Sequence, residues 1–132
     1  MDVLTESLKS MESNTTIVRE LTDTFNYQVR MYRELTLLVQ KMIGNMVLSR
    51  GDMSGLLSSM EKKKKMLELI EIERHSHSDA IMRWQLLKNN VTMTSEVSVL
   101  EKVLEDTGCA IKEFINEEEQ LRTYIEKCMQ KS

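Results

Sequence analysis

Two interleaved series of mainly apolar residues, each stepping by seven, predict a long amphipathic helix from Ile17 to Leu48. One series carries Val18, Phe25, Tyr32, Val39 and Met46; the other carries Leu21, Gln28, Leu35, Met42 and Ser49. Together they form the stripe by which a helix packs on its neighbours. Leu38 and Ile43 widen that stripe, as expected of a helix with more than one partner. Gln28 interrupts it: burying an unpartnered amide costs about 1–3 kcal/mol, so Gln28 either bonds across the bundle or lies near an open end. Upstream, Val3, Leu4, Leu8 and Met11 make a short apolar face that Asp2 is placed to cap. Ser13-Asn14-Thr15-Thr16 then offers side chains that compete for backbone hydrogen bonds. Two outcomes stand there. Either the run is a cap between a short helix and a long one, or it is a weak point in one helix. Met11 and Leu4 sit seven and fourteen residues before Val18, which favours continuity.

The pattern stops at Ser49-Arg50-Gly51-Asp52. Gly51 suits the left-handed conformation that closes a helix, and Asp52 suits the cap of the next. A second seam follows through Met53, Leu56, Met60, Lys63, Leu67 and Ile70, flanked by Leu57 and Met66. The same phase reaches Arg74, His77, Ile81 and Trp84. This seam is apolar at both ends and polar between, which implies thin burial or a kink. One long helix is expected, ending near Lys88-Asn89-Asn90, with its continuity past His77 left open. Val91–Thr94 is a short connection with Thr94 as a helix cap. The third helix runs to about Met129 on a seam of Val97, Leu100, Leu104, Thr107, Ile111, Phe114, Glu118, Leu121, Ile125 and Cys128. Gly108 inside it implies close helix approach or a bend. The expected fold is a single all-α domain, residues 1–132. It is an antiparallel up-down-up bundle of three long helices, with a short N-terminal helix as the alternative fourth element.

Composition supports helices over sheets: there is no proline, only four glycines, and aromatic residues are 5 %. Eleven methionines supply pliable apolar surface, used in cores more often than in binding grooves. A net charge of −3 disfavours nucleic acid as a partner. No apolar run is long enough to cross a bilayer, and Met1–Ser13 lacks the basic start and apolar core of an export signal. Cys109 and Cys128 fall on one helix, about 28 Å apart, too far to form a disulfide. Reduced thiols and no stable membrane insertion fit a cytoplasmic protein.

Candidate chemistry is sparse. His75 and His77, two apart on a helix, cannot share one metal ion, although Glu71 and Asp79 flank His75 at four residues either side. The Glu-x-x-His spacing of carboxylate-bridged metal bundles is broken by Ile72 and Arg74. Lys62–Lys65 spreads around a helix axis, with Glu61 and Glu68 nearby, and reads as a solvated face with Lys63 lying over the seam. Neither cysteine has a histidine beside it in sequence, and the acidic surroundings would raise a thiol's pKa. There is no glycine-rich phosphate loop and no serine-centred nucleophile elbow. A non-enzyme without cofactor is expected. Tyr124 either anchors a partner, with Ile125, Cys128 and Met129, or lies across the bundle end.

Three helices of thirty-odd residues leave apolar surface for a partner helix or a second copy of the chain to cover. The turn then acquires a further meaning. Gly51-Asp52-Met53, followed by Leu56, Met60, Lys63, Met66-Leu67 and Ile70, resembles the FlgN-type flagellar export chaperones. Leu35, Leu38, Gln40 and Val47-Leu48 are similar to the leucine-rich helix that precedes the Gly-Asp turn in that family. The resemblance spans about residues 32–74; Lys62–Lys65, Gly55 and Trp84 depart from it. It implies a cytoplasmic type III export chaperone that binds C-terminal helices of secreted hook–filament junction proteins. Such a chaperone prevents their premature assembly and delivers them to the export apparatus. By that analogy the partner contact falls on the third helix, at Ile111, Phe114, Ile115, Leu121, Tyr124 and Ile125. The alternative is a generic coiled-coil scaffold that self-associates, for instance as a homodimer.

Overall fold

The heptad stripe of the first helix is the face on which the rest of the molecule is laid. In the computed structural model, which describes the backbone of residues 2–130 and the side chains of 14–130, four helices account for the regular structure. They are α1 (Asp2–Leu48), α2 (Leu56–Ser76), α3 (Ser78–Leu87) and α4 (Ser95–Gln130). α1 passes through Ser13–Thr16 without a break, so the continuous-helix outcome holds. The apolar face at Val3–Met11 and the Asp2 cap fall outside the described side chains. Further along, the hydroxyls of Thr22, Thr24 and Thr36 donate to the carbonyls of Val18, Glu20 and Tyr32 one turn back. These groups satisfy themselves inside the helix and do not interrupt it.

Most apolar members of both α1 series are in the core, namely Val18, Leu21, Leu35, Val39, Met42 and Met46, with Phe25 and Tyr32 partly buried against it. They belong to two clusters. One joins Leu35–Met46 to Leu56 and Ile70 of α2 and to Phe114 and Leu121 of α4. The other joins Ile17, Val18 and Leu21 to Ala80 and Trp84 of α3 and to Val97 and Leu100 of α4. Contacts climb in step along α1 and α4, from Arg19–Glu96 through Phe25–Thr107 to Gln40–Glu117. α2 thus packs on the C-terminal half of α1 and α3 on its N-terminal half.

Between the two clusters the buried residues are mixed: the polar Thr24, Gln28 and Thr107 lie among the apolar Val29, Val103 and Ala110. Thr107 donates to the Val103 carbonyl at 2.7 Å, whereas the Gln28 Nε2 finds no partner among the described residues. Gln28 therefore takes neither expected outcome.

The turn departs from expectation. α1 closes with the Gly51 N–H on the Met46 carbonyl (2.7 Å) and the Arg50 N–H on the Val47 carbonyl (3.2 Å), the paired bonds of a Schellman motif. In that motif the left-handed residue is Arg50, at φ 58°; Gly51 follows at φ 90°. Asp52 does not cap α2. Its Oδ1 accepts the Ser54 N–H at 3.0 Å, a local turn, and the helix starts four residues later at Leu56, after Gly55. Met53 consequently lies in the turn, not on the seam. The single helix expected to reach Asn90 is instead two, broken at His77 (φ −115°, ψ 20°). α3 ends at Leu87, next to the Lys88-Asn89-Asn90 stop. Thr94 caps α4 as expected, its Oγ1 accepting the Val97 N–H at 3.2 Å. Gly108 is exposed, and an added Cβ would meet nothing within 4 Å, so it marks no close approach.

Candidate functional site

Lys63 on the α2 seam and Glu118 on the α4 seam are charged residues at helix-packing positions, and the fold brings the two together. Lys63 Nζ lies 2.8 and 2.9 Å from the two carboxylate oxygens of Glu118. Their side chains are only 15 % and 29 % exposed, so the pair is sheltered between helices. Lys63 bridges α2 to α4 and is not merely laid over the seam. One heptad position away, Gln40 Nε2 donates to Glu117 Oε1 at 3.2 Å. Glu117 and Glu118 therefore fix α4 against the α1–α2 pair from its acidic side.

A second polar constellation sits at the helix break. His77 places Nδ1 3.0 Å from Glu20 Oε2 on α1 and Nε2 3.2 Å from Glu73 Oε1 on α2. A neutral imidazole has one N–H and cannot donate to both carboxylates; the protonated ring can. The hydrogen bond to Glu20 is the main cause of a raised His77 pKa, and Glu73 adds to it. Glu73 is four residues before His77, a signal present in the sequence. Glu20 is 57 residues away and had no local signature. His75, flanked in sequence by Glu71 and Asp79, is exposed and belongs to no such cluster. Among the described residues no three His, Cys, Asp or Glu side chains gather as a metal site. Both cysteines are free, Cys109 exposed and Cys128 half-buried with its Sγ against the Gly51 turn.

The six α4 residues singled out for partner contact divide by burial. Phe114 and Leu121 are committed to the chain's own core, Phe114 stacking at a tilt on Tyr32 with ring centroids 5.8 Å apart. Tyr124 and Ile125 pack against that core, and Ile111 is half-buried. Ile115 alone of the six is open, 51 % exposed.

A different apolar surface lies on α1 and α2. Glu34, Leu37, Leu38 and Lys41 of α1 face Lys62 and Met66 of α2 across an open groove of about 310 Å³. Leu37 is 64 % exposed, and Leu69, one turn beyond Met66, is also exposed. Among the described residues no helix is long and apolar enough to cross a membrane. Comparison with family models, with curated proteins and with solved structures finds no match for this chain.

Proposed function

We propose that this chain is a non-enzymatic, cytoplasmic helix-binding chaperone of the flagellar type III export kind, built as an up-down-up bundle. Its partners in this reading are C-terminal helices of secreted hook–filament junction proteins. One observation carries it: α2 gives the core only two buried residues, Leu56 and Ile70, with Met66 and Leu67 partly buried beside them. Leu57, Leu69 and Ile72 of the same helix stay exposed. A helix held this lightly, with apolar side chains facing water, is suited to packing against an added amphipathic helix. The residues behind the family resemblance have architectural roles here. Gly51 gives the Cys128 Sγ room to approach the turn, and Lys63 pairs with Glu118. They support a shared scaffold and leave the choice of partner to the exposed faces.

The test is co-purification of the full chain with the C-terminal helical segment of a hook–filament junction protein from a flagellated bacterium. A one-to-one complex, measured by light scattering, is expected; no complex with any such segment would overturn the reading. A self-associating scaffold is the second reading, favoured by Val47, Leu48, Leu57 and Met129, all exposed apolar residues in or near the segments that meet at the turn. It predicts a homodimer that dissociates on dilution and recruits no such segment.

A further inference from the structure

We infer that the groove between α1 and α2, floored by Leu37, Leu38 and Met66, is the docking site for an amphipathic partner helix carrying acidic residues beside its apolar stripe. The inference rests on the reading of the chain as a helix-binding protein, not on the flagellar assignment. Two lysines, Lys41 and Lys62, stand on opposite walls of the groove, one from each helix; Glu34 is the one acidic lining residue. No ion pair holds either lysine within the described chain. An apolar floor between two lysines complements an apolar stripe flanked by carboxylates, and it disfavours one flanked by lysines.

The molecule already contains one example of this mode of packing. α4 lies against the same α1–α2 pair with an apolar stripe, Phe114 and Leu121, and acidic neighbours, Glu117 and Glu118. Those carboxylates meet an amide and a lysine, Gln40 on α1 and Lys63 on α2. Gln40 and Lys41 are adjacent in sequence, as are Lys62 and Lys63, and neighbouring residues on a helix point about 100° apart. The pair of helices therefore presents polar anchors to two sides. Gln40 and Lys63 hold α4, while Lys41 and Lys62 line a groove that is open to solvent. Leu69 prolongs the apolar floor, lying three residues after Met66 and seven after Lys62, on the same helical face.

The experiment uses the full chain and two labelled designed peptides of 21 residues, identical in their leucine stripe but flanked by glutamates in one and lysines in the other. Fluorescence anisotropy should show the glutamate peptide binding at least about tenfold more tightly than the lysine peptide. Leu37→Asp, at an exposed position, should weaken the glutamate peptide by about tenfold or more. The double variant Lys41→Glu/Lys62→Glu should reverse the preference, a gain that an unfolded variant cannot show. Ile115→Asp on α4 should leave binding unchanged. Equal binding of both peptides, loss with Ile115→Asp but not with Leu37→Asp, or a homodimer abolished by Leu37→Asp would each overturn the proposal. Binding of the designed peptide without capture of any junction-protein segment would retain the groove and remove the flagellar assignment.

Discussion

Arg50 holds a backbone conformation that suits glycine better. At φ 58° its Cβ crowds the adjacent carbonyl, a strain of about 1–2 kcal/mol in the left-handed region, partly offset in any comparison because glycine is freer when unfolded. Arg50→Gly is therefore expected to stabilise the fold by about 0.5–1 kcal/mol, read as a higher urea midpoint at unchanged slope. Gly51→Ala should act in the opposite sense, because φ is 90° there and the added methyl would sit 3.2 Å from the Cys128 Sγ. His77 makes a prediction of a different kind. Its folded-state pKa is raised above the ordinary 6.5, first by the hydrogen bond to Glu20 and then by Glu73. The stabilisation is then fully present below about pH 6.5 and is lost as pH rises through the folded value. Thermal melts between pH 5.5 and 8.5 should show the melting temperature falling with pH across that window, and His77→Gln should flatten the profile. An unchanged slope in the variant would show that the clamp contributes nothing.

The elements differ in how firmly they are held. α4 buries residues from Val97 to Leu121 along α1, whereas α2 depends on Leu56, Ile70, the partly buried Met66 and Leu67, and the Lys63–Glu118 bridge. Removing one member of a sheltered ion pair strands the other charge, while replacing both by apolar residues removes the desolvation cost as well. Lys63→Met alone should thus destabilise the fold by about 1–3 kcal/mol, and Lys63→Met/Glu118→Leu should recover most or all of that loss. Chemical denaturation of the two single variants and the double variant gives the coupling energy directly. Strict additivity would mean that the contact contributes no net coupling. The helical stripes themselves were legible in the spacing of apolar residues. Val103 and Ala110 were missed in the α4 stripe because each lies three residues after a seam residue, Leu100 or Thr107, and the buried face is wider than one heptad seam. The helix break was signalled only as polarity in the middle of the second seam. It occurs at His77, whose ring bonds Glu20 of α1 as well as Glu73 one turn back on α2.

At the scale of the whole molecule, the buried polar residues Thr24, Gln28 and Thr107 lie in a layer between two apolar clusters, beside the small apolar Val29, Val103 and Ala110. The helix break contacts α1 at Glu20, one turn from that layer, so the arm and the core both change character at the same waist. Gln28→Leu should stabilise the protein by about 1 kcal/mol, because the buried Nε2 has no partner to lose. A destabilised variant would instead show that the amide is satisfied in solution.

The all-helical class, α1 from Ile17 to Leu48, the extent of α4, the Thr94 cap and most buried positions follow from sequence alone, because periodicity and capping act within a few residues of the chain. Partnership between distant polar residues does not, because nothing local joins Lys63 to Glu118 or His77 to Glu20. The same holds for the surface left over. Leu37 and Phe114 are both apolar residues on amphipathic helices, and only the packing of α4 on α1 makes one core and leaves the other facing solvent. For that reason the Gly51–Asp52 turn and Lys63, prominent in the sequence, became parts of the scaffold. The groove beside Leu37 emerged only when the helices were assembled, since a groove belongs to two elements and to neither sequence by itself.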